Sequence, residues 1–487
     1  FNVEAPQKCG AEKAGSVTPR RFRCQMRAAG KVEITASVCD DAKTFCRQER
    51  FDVKVGGAWK KIFRAKTPPA KSHAAPPGFL INNTGKALAQ AQSKHLPIYV
   101  HFFGIWCPPC NMLEEGVYPS DTFLKASRGF VKLALDADSE LSWDWKARYK
   151  IGGYPTLLVL DEKGREISRA VGYRSPDALN AFLAEAKTLM REPLDRVTDA
   201  VIFSKPNENG ERRARVARWR LERGEYAAAE AAAGAAPEAR REALLARKGR
   251  ASKDDDPVAL TAALKALTAE LPDDAEFTAW AEQLAERDKA AAEALFDAVR
   301  ASADRWAIDP GLSAHGMVPG DIRAAHASYL EALGRDADAR AVWFVAAEAY
   351  DAQTSDSQLV LARGANLERA YCLQKAGRLD DARALYLSLI GAYPNEFTFH
   401  YGYGRLLLEI KDYKAALASA RTAVKTGYGD NWLRAVALEA KTLKALNKKD
   451  EAARSIDAAL AEAAAPMSTA VRTHRYLAEL RRLRAEL

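Results

Sequence analysis

The first part of the chain carries short strand patterns. In residues 1–66, "RFDVKV" (50–55) alternates apolar and polar side chains, and "KVEITASV" (31–38) alternates more loosely. Such alternation over a few residues is typical of a half-buried strand. The segment "CDDAKTFC" (39–46) lies between the two runs, so they form a hairpin with a cysteine at each neck. We therefore predict a small β domain over 1–66.

The next part alternates helix and strand patterns. Residues 67–78 are rich in Pro, Ala and Lys and read as a semi-rigid linker. Within 79–190, "TGKALAQAQSKH" predicts a helix with Thr84 as its N-cap, and "PIYVHFF" (97–103) predicts a buried strand. A βαβ unit followed by a ββα unit predicts an α/β sandwich around one sheet.

Residues 191–487 are rich in Ala, Leu and Arg, and their pattern predicts helical hairpins. A period is visible, because Ala416 lies 34 positions after Ala382 in a matching segment, and Ala452 follows with two extra residues. Small residues at fixed helical positions let paired helices approach closely. The period predicts an all-α solenoid.

Composition limits the classes of protein. A chain of 487 residues is too long for one core, and 48% hydrophobic with 28% charged residues fits a water-soluble globular class. The net charge of +9 is concentrated in residues 1–79. That charge favours an acidic partner or an anionic membrane surface, although a solvated basic surface is the simpler interpretation. Nucleic acid does not fit a disulfide-bearing module, and no apolar run predicts a membrane span.

The cysteines fall into three groups. Four lie in the first 46 residues, two form a close pair, and one is isolated; they are Cys9, Cys24, Cys39 and Cys46, then Cys107 and Cys110, then Cys372. The first group is typical of a small exported domain, and Cys372 of a buried inert thiol. The chain begins at Phe1, as removal of a signal peptide or other trimming would leave it. We expect a periplasmic or otherwise exported protein.

The spacing of Cys107 and Cys110 fits a metal clip, a structural bridge or a redox centre. A structural zinc site needs four N or S ligands, no second such pair lies nearby, and His101 falls in a strand that points into the sheet. A three-residue loop constrains little chain, which disfavours a purely structural bridge. The pattern therefore favours a redox pair without a metal or other cofactor.

The local elements assign a role to each cysteine. A strand ends before Cys107 and a helix starts at Pro108, so Cys107 lies at a helix N-terminus, where backbone N–H groups stabilise a thiolate. Pro108 and Pro109 fit the first helical turn, where no N–H partner is lost. Cys110 lies one turn further in. We expect Cys107 to attack a substrate disulfide and Cys110 to resolve the mixed disulfide.

Residues 79–190 resemble the thioredoxin family. "WCPPC" (106–110) carries its active-site pattern, "GGYPTLLVL" (152–160) its cis-proline loop, and "DEKGREISRAVGY" the following hairpin. The resemblance implies that Pro155 is the cis-proline and that the backbone of Tyr154 pairs with a bound peptide. It also implies that Trp106 shields the site, with Pro108 and Pro109 beside the substrate.

Within that family, the segment after the CxxC is most similar to the C-terminal domain of DsbD-type thiol:disulfide interchange proteins. The resemblance implies that Glu114 is an acidic residue near the resolving cysteine. His101 stands where thioredoxins keep a buried aspartate. It is either a proton relay to Cys110 with Glu114 as its partner, or a satisfied core residue.

The N-terminal hairpin has a related resemblance. "VCDDAKTFCRQERFDVKV" (38–55) is similar to a cysteine hairpin in the N-terminal, immunoglobulin-like domain of DsbD-type proteins. There the pair exchanges electrons with the thioredoxin-like domain. The alternative is two structural disulfides, Cys39–Cys46 and Cys9–Cys24.

The helical part resembles the tetratricopeptide repeat family, best over about residues 363–465. The large aromatic residue that the family places early in its first helix is missing from the copy that starts near Arg363. Such families bind peptides or proteins on a concave face. The aromatic cluster "FTFHYGYG" (397–404) either lines such a groove or fills the repeat core.

Together these patterns predict a multidomain protein with a small β domain, an α/β thioredoxin fold and an all-α tetratricopeptide-like solenoid. The expected activity is disulfide reduction in protein substrates, supplied by an upstream thiol electron donor, with a peptide or protein bound on the repeats. The alternatives are a repeat-based assembly protein that uses the thioredoxin fold for docking, and a disulfide isomerase or chaperone.

Overall fold

The computed structural model describes the backbone of the N-terminal strands and most of the chain after residue 75. The described ranges are 2–3, 8–11, 22–25, 30–39, 46–55, 76–202, 204–205, 207–463 and 471–487. The chain divides into two compact units, Phe1–Ile62 and Phe63–Leu487, which are taken separately below.

The first unit contains two small antiparallel sheets. Its strands are β1 (Asn2–Val3), β2 (Lys8–Ala11), β3 (Phe22–Gln25), β4 (Gly30–Cys39) and β5 (Cys46–Val55). Strand β4 lies between β1 and β5, and β2 pairs with β3. The predicted hairpin is confirmed, with Cys39 opposite Cys46 in the backbone register, and Cys9 opposite Cys24 in the smaller sheet.

The second unit begins with a five-stranded mixed sheet in the order β10-β9-β7-β8-β6. Its elements are β6 (Phe79–Ile81), α1 (Thr84–Lys94), β7 (Ile98–Phe103), α2 (Pro108–Met112), α3 (Asp121–Ala126), β8 (Val131–Asp136), α4 (Glu140–Arg148), β9 (Thr156–Leu160), β10 (Glu166–Val171) and α5 (Pro176–Thr188). The central strand β7 runs parallel to β8 and antiparallel to β9, and all of its residues are buried. The predicted α/β sandwich is confirmed.

One helix start differs from the prediction. Helix α1 is capped by Asn83, whose side-chain Oδ1 accepts a hydrogen bond from the Lys86 backbone N–H at 3.0 Å. Thr84 is the first helical residue instead of the cap. Asn is at least as good a cap as Thr, and here it stands one position earlier. The short edge strand β6 was not predicted, since three residues carry too little pattern.

The described residues after α5 form helices, and no strand occurs among them. They are α6 (Leu194–Ile202), α7 (Gly210–Glu222), α8 (Tyr226–Ala233), α9 (Arg240–Lys253), α10 (Pro257–Glu270), α11 (Phe277–Ala285), α12 (Lys289–Glu293), α13 (Phe296–Trp306), α14 (Pro319–Ala332), α15 (Asp336–Ala352), α16 (Gly364–Lys375), α17 (Leu379–Ala392), α18 (Phe397–Glu409), α19 (Tyr413–Thr426), α20 (Asp430–Ala445), α21 (Lys449–Glu462) and α22 (Val471–Ala485). None of the helices in these described ranges has the length and apolar character needed to cross a membrane.

The repeat pattern corresponds to helical hairpins in the structure. Helices α16 and α17, α18 and α19, and α20 and α21 follow one another across short turns. Ala382, Ala416 and Ala452 occupy the same place in the second helix of each pair, and all three are fully buried. Their small side chains let the helices pack closely, as the period predicts.

The sheet and the helices share one continuous hydrophobic core within the second unit. Backbone contacts also join them, because the Tyr173 N–H donates to the Gly316 carbonyl at 2.9 Å. A side chain joins them as well, because the guanidinium of Arg215 in α7 donates to the carbonyl of Ile167 in β10 at 2.8 Å. The sequence pattern changes from mixed helix and strand to helix alone near residue 190, and both parts lie in the same compact unit.

Candidate active site

The redox pair lies where strand β7 turns into helix α2. Cys107 is the N-cap residue of α2, with Pro108 and Pro109 in the first turn, and its sulfur is bonded to that of Cys110. The two Cα atoms are 5.3 Å apart. The Asn111 side chain donates to the Ile105 carbonyl at 3.1 Å and fixes the loop before the pair. A helix start with two prolines is thus what places the disulfide at the end of the sheet.

Trp106 is held beside the pair by a chain of hydrogen bonds. Its indole Nε1–H donates to the Asp138 carboxylate at 2.8 Å, and the Asn431 amide donates to the same Asp138 oxygen at 2.9 Å. Asn431 belongs to α20, so a repeat helix takes part in orienting the active-site tryptophan. Close by, the Tyr428 hydroxyl donates to Asp136 at 2.7 Å.

The loop predicted to receive substrate lies next to Trp106. The Tyr154–Pro155 peptide bond is cis, and the Tyr154 ring meets the Trp106 ring edge to face with centroids 5.6 Å apart. Tyr154 is half-buried, while Pro155 is buried. The structure thus brings Trp106, Tyr154 and the disulfide into one place.

Repeat helices cover the redox pair. Cys107 is only 2% exposed and Cys110 is fully buried. Gly364, the first residue of α16, lies against α2, and a Cβ placed on it would lie 2.4 Å from the Pro108 carbonyl oxygen. The Thr398 hydroxyl, at the start of α18, is 3.5 Å from the Ile105 carbonyl oxygen. A substrate cysteine of ordinary size cannot reach Cys107 without some movement of this cover.

A buried charge cluster joins the cover to the segment after α2. Arg363 binds Glu115, with its backbone N–H 3.0 Å and its Nε 2.9 Å from the carboxylate oxygens. The Arg363 guanidinium also lies 3.5 Å from Glu396 and 4.0 Å from Glu114. One arginine therefore faces three carboxyl groups, all with side chains exposed by 6% or less.

This environment raises the pKa of the carboxyl groups. Burial, opposed by Arg363, raises the pKa of Glu114 to about 8 and that of Glu396 to about 7. Burial also raises the pKa of Glu115, and Arg363 again opposes it. Neighbouring carboxyl groups add to the effect on Glu114. Near neutral pH, Glu114 therefore carries a proton within the cluster, one helical turn after Cys110.

His101 lies in the middle of β7 and is fully buried. Burial lowers its pKa to about 3, so the imidazole is neutral, and its ring packs against Tyr118 and Phe103 with centroids 5.3 and 5.5 Å away. Within the part of the chain that the structure describes, neither ring nitrogen has a hydrogen-bond partner. A proton relay from His101 to Cys110 with Glu114 as partner thus has no hydrogen-bonded path among these residues, and a core position fits the geometry better.

Other candidate residues lie away from the pair. Cys372, in α16, is a fully buried free thiol, as predicted, and burial raises its pKa. Most rings of the aromatic cluster fill the core, since Phe397, Phe399 and Tyr403 are buried, while Tyr401 is only partly buried. Among the described residues, no group of three or more His, Cys, Asp or Glu side chains is arranged to hold a metal ion. The sulfurs of the four N-terminal cysteines lie outside the described part, so their pairing stays a prediction.

Sequence reasoning missed the residues that the helical part contributes. Asn431, Arg363 and Gly364 reach the site from more than 200 positions away in the chain. One signal was present, because the repeat copy that starts near Arg363 lacks the large aromatic expected early in its first helix. At the start of that copy, Gly364 lies on Pro108, where a side chain would overlap α2.

Comparisons with known proteins agree with this geometry. Residues 84–187 match the family model described as a thioredoxin-like domain. The chain is similar to a protein disulfide-isomerase of Ricinus communis, 34% identical over 92 residues that cover 19% of this chain and 18% of that one. It is also similar to thiol-disulfide oxidoreductase ResA of Bacillus cereus, 25% identical over 129 residues that cover 22% of this chain and 73% of that one.

A third relative is thiol:disulfide interchange protein DsbD 2 of Pseudomonas aeruginosa, 29% identical over 109 residues. That match covers 21% of this chain and 18% of the relative, so the chain spans less than a fifth of that relative's length. Among solved structures, a tetratricopeptide repeat protein from Parabacteroides merdae aligns with 50% of this chain and 98% of its own, at 16% identity and a TM-score of 0.22.

Proposed function

We propose that the protein is an exported thiol:disulfide oxidoreductase that reduces disulfides in protein substrates. The observation that carries the proposal is the Cys107–Cys110 pair at the start of α2, beside the cis Tyr154–Pro155 loop. The positive end of the helix dipole at that helix start favours a thiolate on Cys107, although Pro108 and Pro109 contribute no N–H group. The matching thioredoxin-like relatives support the same chemistry.

The reaction is a two-step exchange of disulfides. The Cys107 thiolate attacks one sulfur of the substrate disulfide, forms a mixed disulfide, and releases the other substrate sulfur as a thiolate that takes up a proton. Cys110, as a thiolate, then attacks the Cys107 sulfur and releases the second substrate thiol. The protein is left with its own disulfide, and an upstream dithiol donor returns two electrons. The proton held by Glu114 lies in the same buried region as the resolving cysteine.

Export and partner binding are supported by different observations. Export is favoured by the four cysteines of the first unit, whose backbone register sets Cys9 opposite Cys24 and Cys39 opposite Cys46. Partner selection by the repeats is favoured by the contacts of α16 with Pro108, of α18 with Ile105 and of α20 with Trp106.

A redox titration tests the proposal. The full chain is equilibrated in glutathione buffers, and the fraction of reduced Cys107 is measured by alkylation and mass spectrometry. A reductase is expected to have a potential at or below about −200 mV, whereas an oxidase lies nearer −120 mV. Reduced protein should also cleave the disulfides of insulin, and Cys107→Ser should not. Absence of any exchange in the wild-type chain would contradict the proposal.

One observation favours a second function. Cys107 is 2% exposed, so the thioredoxin fold could act as a docking module for the helices, with little turnover. A repeat-based assembly protein of this kind would bind partners equally well when Cys107 and Cys110 are both replaced by Ser. A redox enzyme would lose covalent capture of its substrates in the same variant. An isomerase or chaperone would instead restore activity to scrambled ribonuclease.

A further inference from the structure

A cleft in the helical part opens beside the active-site tryptophan. It lies between α18, α20 and α22, has a volume of about 250 Å³, and is lined by charged and aromatic side chains that include Tyr401, Arg405, Arg434, Lys441 and Glu479. Arg434 connects it to the redox pair, because its guanidinium carbon lies 6.0 Å from the centre of the Trp106 ring. Trp106 directly precedes Cys107.

Only some of the positively charged side chains in the cleft form an ion pair with a carboxylate. Lys441 pairs with Glu479 at 2.7 Å, and Glu409 accepts a hydrogen bond from Gln374. Within the described part of the chain, by contrast, neither Arg405 nor Arg434 forms an ion pair with a carboxylate. The cleft thus carries three cations and two carboxylates, and its two guanidinium groups, one on α18 and one on α20, have no carboxylate partner at ion-pair distance among the described residues.

Arg434 is also held in place. Its guanidinium stacks on the Tyr401 ring at 4.7 Å from the centroid, and its Nη1 lies 3.5 Å from the Asn431 side-chain oxygen. Stacking on aromatic faces leaves the N–H edge of a guanidinium available for a carboxylate, and a fixed guanidinium loses little entropy on binding. The side chain is half-buried, which reduces screening by solvent.

We propose that this cleft binds acidic side chains of the substrate polypeptide, close in sequence to the disulfide that Cys107 attacks. Because Arg434 contacts the ring of the residue next to Cys107, and an extended chain advances about 3.3 Å per residue, a carboxylate on Arg434 belongs to a residue a few positions from the attacked cysteine. The inference rests on the proposed function and adds the substrate class. The proposed ligand of the cleft is the carboxylate of an Asp or Glu side chain, and not the carboxylate of a chain terminus.

The test uses three peptides of one length, each acetylated and amidated so that no terminal charge remains. Each carries one cysteine as a mixed disulfide with thionitrobenzoate, flanked by Glu, Gln or Lys. Reduced full-length protein releases the coloured thiol, and kcat/KM is measured for each peptide. We expect the Glu peptide to react at least about tenfold better than the Gln peptide, because a hydrogen bond to a charged group contributes about 1.5 kcal/mol or more and about 1.4 kcal/mol corresponds to a factor of ten.

The variants Arg405→Gln and Arg434→Gln should bring the Glu-to-Gln ratio close to one. Arg383→Gln is the matched control, since Arg383 is an exposed arginine on α17, outside the cleft, and it should keep the wild-type ratio. A ratio near one in the wild type, or a ratio that survives both cleft variants, overturns the inference. Failure of all three peptides to react would instead contradict the proposed function, so the two failures are distinguishable.

Discussion

Gly364 lies so close to Pro108 that a Cβ on the glycine would be 2.4 Å from the proline carbonyl oxygen. The same Cβ would be 2.9 Å from the backbone nitrogen of Met112. Because both of these neighbours are backbone atoms, neither can move aside without shifting α2 or α16. Helix α16 can therefore pack this closely on α2 because residue 364 has no side chain.

Gly364→Ala should open this cover. Overpacking of this kind has a typical penalty of about 1–3 kcal/mol, and the easiest relief is separation of α16 from α2. We expect reduced Cys107 to be alkylated by iodoacetamide about tenfold faster than in the wild type, as measured by mass spectrometry. Gly391→Ala is the control, since nothing lies within 4 Å of a Cβ there. An unchanged alkylation rate would mean that α16 does not limit access.

Cys110→Ser should trap substrates on Cys107. Without the resolving thiol, the mixed disulfide cannot be released by the neighbouring cysteine and accumulates. Non-reducing electrophoresis of an extract of the exported fraction should show adducts that dithiothreitol removes. The double variant Cys107→Ser, Cys110→Ser should show none. If adducts form equally well in the double variant, another cysteine is the nucleophile.

The N-terminal cysteines should form two cross-strand disulfides. The backbone register sets Cys9 opposite Cys24 and Cys39 opposite Cys46. A unit this small is typically stabilised by such links, by about 2–4 kcal/mol each. Peptide mapping of the oxidised protein without reduction should recover these two pairs. Four free thiols in native protein would remove the main support for export.

Glu114→Gln should change how stability depends on pH. Because burial raises the folded-state pKa of Glu114 from 4.5 to about 8, its contribution to stability is fully present below about pH 4.5 and is lost as the pH rises through 8. One carboxyl contributes a slope of at most about 1.4 kcal/mol per pH unit. Calorimetry should therefore give the variant a higher Tm than the wild type at pH 8, and a similar one at pH 5.

The control for this measurement is Glu348→Gln, which removes an exposed carboxylate on α15 and should follow the wild-type curve. A parallel pH dependence in Glu114→Gln and wild type would show that Glu114 stays ionised in the folded protein. The nearby Glu396, whose pKa burial raises to about 7, would then be the next residue to replace.

Elements that depend on residues within a few positions of one another could be predicted from the sequence. The buried strand β7, the proline-rich start of α2 and the closing helix α5 follow from periodicity, capping and turn residues within a few positions. The same holds for the redox pair, because one strand end and one helix start place it. The alanine period likewise predicts the paired helices.

Contacts between distant segments could not be predicted in this way. The Arg363–Glu115 pair joins residues 248 positions apart, and no hydrophobic period specifies which repeat helix will meet α2. The three-residue strand β6 is too short to show alternation, and the cap of α1 fell on Asn83 because two adjacent residues can both serve. His101 shows a further limit, since residue type alone does not distinguish a proton carrier from a core ring.

The hydrogen bond from Asn431 to Asp138 joins residues that are made at different times during synthesis. Ribosomes add about 5–20 residues per second, so the 293 positions between these residues correspond to roughly 15–60 s of elongation. During that interval the nascent chain already contains the WCPPC segment, while the helices that enclose it are still being made. Newly made protein thus passes through a stage in which small thiols and oxidants reach both sulfurs freely.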